Sequence, residues 1–290
     1  MQIGASELIL NEDGSIYHLN LLPEDLAETV ILVGDQNRVP RVSQHFDSLE
    51  LIKGKREFIT HTGWIQNKRI SVLSTGIGTD NIDIVLNELD ALVNIDLEKR
   101  EVRKIKKQLD FIRIGTSGAI QPNIPIDSFL VSEYAIGFDN VLHYYQSKDV
   151  RLSDIENAFM NHSRWSAQKS LPYVVKCDPH LLAMFSKAPV ITGFTGSNAG
   201  FYAPQGRRLR IAPEDVKLND TLATFEFKGL KLTNLEMETS AIYGLSGLMG
   251  HRAISLNAII ANRSTLEFST APGKTIDRLI EWTLEKILLA

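Results

Sequence analysis

Apolar positions along the chain gather in runs too continuous to alternate: "TVILVG" (29–34), "RISVLSTG" (69–76), "LDFIRIGTSG" (109–118), "SFLVSEYAIG" (128–137), "APVITGFTG" (188–196) and "HRAISLNAII" (251–260). Strands covered by helices on both faces carry this signature, whereas a strand with one wet face alternates. Between the runs the spacing turns helical. In "DNIDIVLNELDALV" (80–93), Ile82, Val85, Leu86, Leu89, Leu92 and Val93 share one face, with Thr79 or Asp80 as N-cap. After "NLEMET" (234–239), Ala241, Leu245 and Leu248 form a stripe flanked by Ile242 and Met249, and Gly250 is a natural stop. A last helix is predicted from about Thr275 to Leu289. Strands alternating with helices predict an α/β fold with a mixed or largely parallel central sheet. No repeat and no Pro/Gly/Ser-rich linker interrupts it, so 1–290 reads as a single domain.

Composition removes several function classes. With 31 basic and 35 acidic residues the formal charge is −4, which leaves no footprint for nucleic acid. The one strongly basic run, "EKREVRKIKKQ" (98–108), reads as a charged, solvated helix within an inserted segment near 94–108. The single cysteine, Cys177, cannot form an intrachain disulfide and reads as an inert thiol; there is neither a C-x-x-C pair nor an H-E-x-x-H, so no metal site is expected. The start "MQIGASELILNEDG" has no secretory pattern, and charges interrupt every apolar stretch short of a membrane span. A soluble, cytoplasmic protein with no membrane partner is the expectation.

Candidate chemistry lies in the glycine turns that end four of the runs: "VGDQNR", "STGIGTD", "IGTSGAIQP" and "TGFTGSNAGFYAPQGRR". Glycine there lets backbone N–H groups approach a ligand, and α/β sheets bind ligands beyond the carboxyl ends of their strands. Neither G-x-G-x-x-G nor a G-x-x-x-x-G-K-[ST] loop is present. Arginines accompany the turns instead: Arg38 follows Gly34, Arg113 precedes Thr116, and Arg56 opens a further β-like run. Guanidinium plus hydroxyl or backbone donors is what a phosphate asks for, although singly each arginine reads more readily as a surface charge or ion-pair partner. Glu236 and Glu238, immediately before the helix at Ala241, are either first-turn capping acids or ligands for a sugar hydroxyl.

Taken together, "GDQNRV", "REF", "STGIG", "RIGTSGAIQP", "GFYAPQGR", "NLEMET" and "ANR", in this order from about His18 to Arg263, resemble the uridine phosphorylase branch of the nucleoside phosphorylase family. The resemblance implies a single-domain, three-layer α/β/α sandwich round a mixed, partly barrel-like central sheet. It implies reversible phosphorolysis of uridine to uracil and ribose 1-phosphate, with inorganic phosphate as co-substrate and no cofactor. By the same resemblance Gly34, Arg38, Arg56, Arg113 and Thr116 contact phosphate. His18, Glu236, Met237 and Glu238 hold the ribose, and Ser117, Gly118, Phe201, Gln205, Arg207 and Arg263 line the base pocket. Arg113, Glu238, Arg207 and Gln205 carry the catalysis. Arg56 and His18 match residues that family members supply across a homodimer interface. Where purine-cleaving relatives place an aspartate, this chain has "IIANRST", so pyrimidine is favoured. The continuation "TDNID" after "STGIG" departs from the family pattern and leaves open the monovalent-cation site that some members build near Glu57. The 94–108 segment likewise leaves open dimer or hexamer. Two rival activities remain on the same fold, a hydrolytic nucleosidase and a purine-type phosphorylase, and from another class a non-catalytic nucleoside-binding regulator.

Overall fold

Val30, Ile31, Leu32 and Val33 are all fully buried, as a strand in the middle of a sheet must be when helices cover both faces. The computed structural model of the protein describes residues 2–289. In chain order its strands are β1 (Thr29–Val33), β2 (Ser48–Lys55), β3 (Phe58–Ile65), β4 (Lys68–Ser74), β5 (Ile95–Asp96), β6 (Glu101–Val102) and β7 (Asp110–Ala119), followed by β8 (Phe129–Gly137), β9 (Tyr173–Lys176), β10 (Val190–Ser197), β11 (Glu226–Phe227), β12 (Leu230–Glu236), β13 (Arg252–Asn262) and β14 (Glu267–Phe268). The helices are α1 (Arg38–Ser43), α2 (Thr79–Asn94), α3 (Ser153–Ser163), α4 (Pro179–Phe185), α5 (Leu218–Thr224), α6 (Thr239–Met249) and α7 (Pro272–Leu289). Each of the six apolar runs lies on one of these strands.

The main sheet is mixed and runs β11-β12-β10-β8-β13-β7-β1-β4-β3-β2. β1 pairs in parallel with β4 and β7, while β13 is parallel to β7 and antiparallel to β8. β12 pairs with β10 and also, through Asn234 and Leu235, with β7. The pairings β12–β10–β8–β13–β7–β12 therefore close a ring of five strands, which makes this end of the three-layer α/β/α sandwich barrel-like. α6 packs against α2 and across β8, β10 and β13, whereas α7 packs on β13 and β7. The first eight residues of α6, Thr239 to Ser246, are all buried, so this helix has no wet face over its first two turns.

Three local expectations are corrected. Residues 98–108 contain no helix: β5 and β6 form a small antiparallel pair, and the chain then runs through a bend and irregular backbone to β7. Tertiary hydrogen bonds override the helix-forming composition here. Asn94 donates to Lys107 O and accepts from Lys107 N, Arg103 N donates to Asn94 O, and Ile3 N donates to Arg100 O. The N-cap of α2 is Gly78 rather than Thr79 or Asp80; glycine has no side chain to cap the helix, and its own amide donates to Glu238. α7 starts at Pro272, three residues before the expected position, consistent with proline at a first helical turn. Gly250, left-handed, ends α6 as expected. Among the described residues no helix is long and apolar enough to cross a membrane.

Candidate active site

The carboxyl ends of β1, β7, β12 and β13 converge on a cavity of about 1000 Å³. Its lining includes Gly34, Arg38, Arg113, Thr116, Ser117, Gly118, Phe201, Gln205, Arg207, Glu236, Met237, Glu238 and Arg263. Thirteen of the residues singled out in the sequence thus meet in one place. His18 and Arg56 do not line the cavity of their own chain. Arg56 sits exposed in the turn between β2 and β3. His18 is held by Glu88, whose carboxylate accepts from the His18 and Leu19 amides and faces the imidazole Nδ1 at 2.6 Å.

The two glutamates have different work. Glu236, at the end of β12, accepts from Glu238 N at 2.9 Å, from Thr239 N and from Ser197 Oγ at 2.5 Å. It therefore satisfies the free amides at the start of α6 from inside the sheet, and it is the capping acid. Glu238 occupies the N-cap position but makes no capping bond. Its carboxylate instead accepts from Gly78 N at 2.8 Å and from Arg113 Nη2 at 2.5 Å, and its residue lines the cavity. Burial pushes the Glu236 carboxyl up from its ordinary value, against the opposing pull of Arg113.

Arg113 is buried at the middle of this group. Nη2 faces both glutamates, at 2.5 Å from Glu238 and 3.2 Å from Glu236, while Nη1 donates to Ser255 Oγ and Asn257 Oδ1. The guanidinium folds back over Gly115, where a Cβ would lie 1.9 Å from Nη1; only glycine admits that path. Burial alone would lower the Arg113 pKa, but the two carboxylates outweigh it and the net shift is upward.

Arg38 has no such partners. It is 8% exposed, donates from Nη1 to Ile114 O, and leaves Nε buried and unbonded. Among the described residues no carboxylate lies within ion-pair distance of it. Burial, then the neighbouring Arg113, lowers its pKa to about 10. The cavity lining thus combines a buried cation carrying an idle donor with Gly34 and Thr116, donors of the kind that can hold an anion.

Across the cavity Gln205 is buried, and Arg207 Nη1 donates to its Oε1 and to Phe201 O. The Arg207 guanidinium lies 3.8 Å from the centre of the Phe201 ring, so one face of that ring holds a cation; the ring is 50% exposed. Burial, followed by the charge of Arg263, brings the Arg207 pKa down to about 10. The aliphatic stem of Arg263 packs on Gly118, and its Nη1 is buried without a partner. Ser117 Oγ accepts from Asn234. Asn262, beside Arg263 in "ANR", has its whole amide committed to backbone: it donates to Gln121 O and Ile124 O and accepts from Ser264 N and Thr265 N. It has no acid to offer a base.

Ser255, Asn257, Ser197, Gly78 and Asn219 were not identified from the sequence. For the first two a signal existed: they are polar positions two apart in the apolar run of β13, in register with Arg113 and Gly115 of β7. Polar groups on one face of a doubly covered strand need buried partners. Ser197 and Gly78 lie in the turns "TGFTGSNAGFYAPQGRR" and "STGIGTD", but no local pattern assigned them a contact, because their partners come from distant segments.

The model of the phosphorylase superfamily matches residues 28–281. The uridine phosphorylase of Thermococcus kodakarensis is 31% identical, over 95% of this chain and 90% of that relative. The uridine phosphorylase of Haemophilus influenzae is 29% identical over 87% of this chain and 88% of its own. Among solved structures, the nucleoside phosphorylase of Trypanosoma brucei, which shows uridine phosphorylase activity, superposes with a TM-score of 0.85 at 27% identity, covering 98% of this chain and 100% of that one.

Proposed function

The chain belongs to the phosphorylase superfamily, and on that premise we propose that it catalyses the reversible phosphorolysis of uridine to uracil and ribose 1-phosphate. The observation that carries the reading is the pairing of two unlike sites in one cavity: the unpartnered, buried Arg38 on one side, and Glu238 fixed by Arg113 beside it.

Phosphate enters against Arg38, Thr116 and the backbone at Gly34, and Glu238 accepts hydrogen bonds from the ribose hydroxyls above Met237. A phosphate oxygen attacks the anomeric carbon as the bond to the base nitrogen breaks, and the electron pair of that bond leaves with the base. Positive charge grows on the sugar near Glu238, and negative charge on uracil near Arg207, Gln205 and Arg263. The departing uracil anion then takes a proton from water. No protein nucleophile is required by this sequence of events.

Two features favour uridine over the alternatives. A hydrolytic site has no use for the idle buried cation at Arg38, whose desolvation costs several kcal/mol unless an anion arrives (order of magnitude). A purine-type site needs an acid at the ring, and the corresponding stretch offers only the committed amide of Asn262 and the guanidinium of Arg263. The reading includes a homodimer in which Arg56 and His18 reach the partner's cavity; their placement at an exposed turn and on a partly exposed segment of their own chain supports it. It also places the enzyme in the cytoplasm, which the lone, buried Cys177 suits.

Uridine absorbance followed with and without phosphate is the deciding experiment. Turnover should require phosphate and yield ribose 1-phosphate. Equal turnover in its absence overturns the reading in favour of hydrolysis, and no turnover of any nucleoside favours a binding protein.

A further inference from the structure

Two segments far apart in the chain supply the base side of the cavity: Gln205 and Arg207 from the loop after β10, and Arg263 from the end of β13. One side chain joins them. Asn219, the second residue of α5, has its amide oriented by its neighbours: the one orientation that satisfies both donates from the nitrogen to Gln205 O at 3.1 Å and accepts at the oxygen from Arg263 Nη2 at 3.1 Å. The backbone closes tightly on it: Gly206 is left-handed at φ +66°, and a Cβ there would approach the Asn219 amide to 2.8 Å. With Nη2 engaged by Asn219, the other guanidinium nitrogen of Arg263 is left buried and unbonded.

We propose that Asn219 is a positioning residue for base recognition, a neutral clamp that sets Gln205 and Arg263 against the base while leaving the arginine's charge unquenched. This rests on the reading of the cavity as a nucleoside phosphorolysis site. An uncharged side chain offering a donor at one end and an acceptor at the other is a carboxamide. A carboxylate in its place would hold Arg263 but cancel the charge that a departing base anion requires, and would present no donor to Gln205 O. An aliphatic isostere would hold neither segment. Arg207 and Arg263 both line the cavity, and among the described residues neither has a carboxylate within ion-pair distance, an arrangement suited to a ligand with carbonyl acceptors on which negative charge grows.

The test compares wild type with Asn219→Leu and Asn219→Asp on uridine and on 5-fluorouridine, whose base leaves as a more stable anion, and it records the phosphate KM and the melting temperature. Asn219→Leu should lose about tenfold or more in kcat/KM for uridine, the size of one lost hydrogen bond to a charged group. The loss should be distinctly smaller for 5-fluorouridine, and the phosphate KM should stay within about twofold, since Asn219 touches none of the anion site. Asn219→Asp should fall mainly in kcat. Should the leucine variant not fold, the aspartate variant decides alone. Wild-type kinetics in either folded variant, or equal losses on both nucleosides together with a lowered melting temperature, would overturn the role of Asn219. If wild type turns over no nucleoside with phosphate, the reading of the cavity falls and the role of Asn219 with it. An active wild type beside unaffected variants removes the clamp alone.

Discussion

Arg113 Nη2 lies 2.5 Å from Glu238 Oε2 and 3.2 Å from Glu236 Oε2, so one guanidinium joins a carboxylate at the cavity that makes no capping bond to the carboxylate that caps the helix. The two glutamates should separate cleanly on mutation. Glu238→Gln removes charge next to the sugar, yet Glu236 remains to neutralise Arg113; kcat/KM should fall by about 10²–10³ with little change in melting temperature. Glu236→Gln weakens the contacts with Glu238 N, Thr239 N and Ser197 Oγ together, and should cost about 1–3 kcal/mol of stability. Steady-state kinetics beside thermal unfolding checks both. A Glu238→Gln protein with normal kcat/KM would place Glu238 outside the chemistry.

On the proposed reading Arg38 holds phosphate with little help from the rest of the protein, because among the described residues its only side-chain bond is to Ile114 O. Arg38→Met keeps much of the buried stem and removes the charge. The phosphate KM should rise by about tenfold or more, while the uridine KM changes little. Stability should hold or increase, since a buried cation without a counter-ion is itself unfavourable. Initial rates over a grid of the two substrates give both constants, and parallel increases in both KM values would argue against a phosphate-specific role.

The core strands were legible in the sequence because burial on both faces leaves an unbroken apolar run, and β1, β4, β7, β8, β10 and β13 all carry one. Their order in the sheet was not, since the closure of β12 on β7 depends on Asn234 and Leu235 meeting Ala119 and Gly118. Most of the cavity lining was legible for a related reason: a glycine turn at a strand end followed by arginine is a local pattern, and so is "EMET". What stayed hidden was whatever acts through a partner distant in the chain. Asn219 lies 14 residues from Gln205 and 44 from Arg263 by their numbering, and nothing in "VKLND" announces either. Residues 98–108 misled for the same reason, since contacts with Asn94 and Ile3 hold them out of a helix against their own helical composition.

If Arg56 completes a partner's site, two inactive proteins should repair one another. Arg56→Ala and Glu238→Gln, each carrying a different tag and co-expressed, give a mixed dimer in which one cavity has Glu238 on its own chain and Arg56 from the other. Purified by both tags, that dimer should recover about half of the wild-type activity, because its second cavity lacks both groups. Activity no higher than the parents' would place Arg56 in its own subunit's chemistry or outside the site.

Cys177 tests the core rather than the cavity. It is 5% exposed, follows β9, and donates its backbone amide to Glu133 O. Burial first, and then the charge of Glu133, pushes its thiol up to about 12. A raised folded-state value means that the native protein holds this proton more tightly than the unfolded chain does. The resulting stability is fully present below the unfolded thiol's pKa of about 8.5 and is lost as pH rises toward about 12. At pH 8 an alkylating reagent should therefore leave the native thiol unmodified over hours and label it completely in denaturant, with no loss of turnover in the native sample. Denaturant midpoints measured from about pH 8 to 10.5 should decline, and a Cys177→Ala protein should show a shallower decline. Rapid native labelling would mean that the strand end at Cys177 opens to solvent, and the burial that sets its pKa would no longer hold.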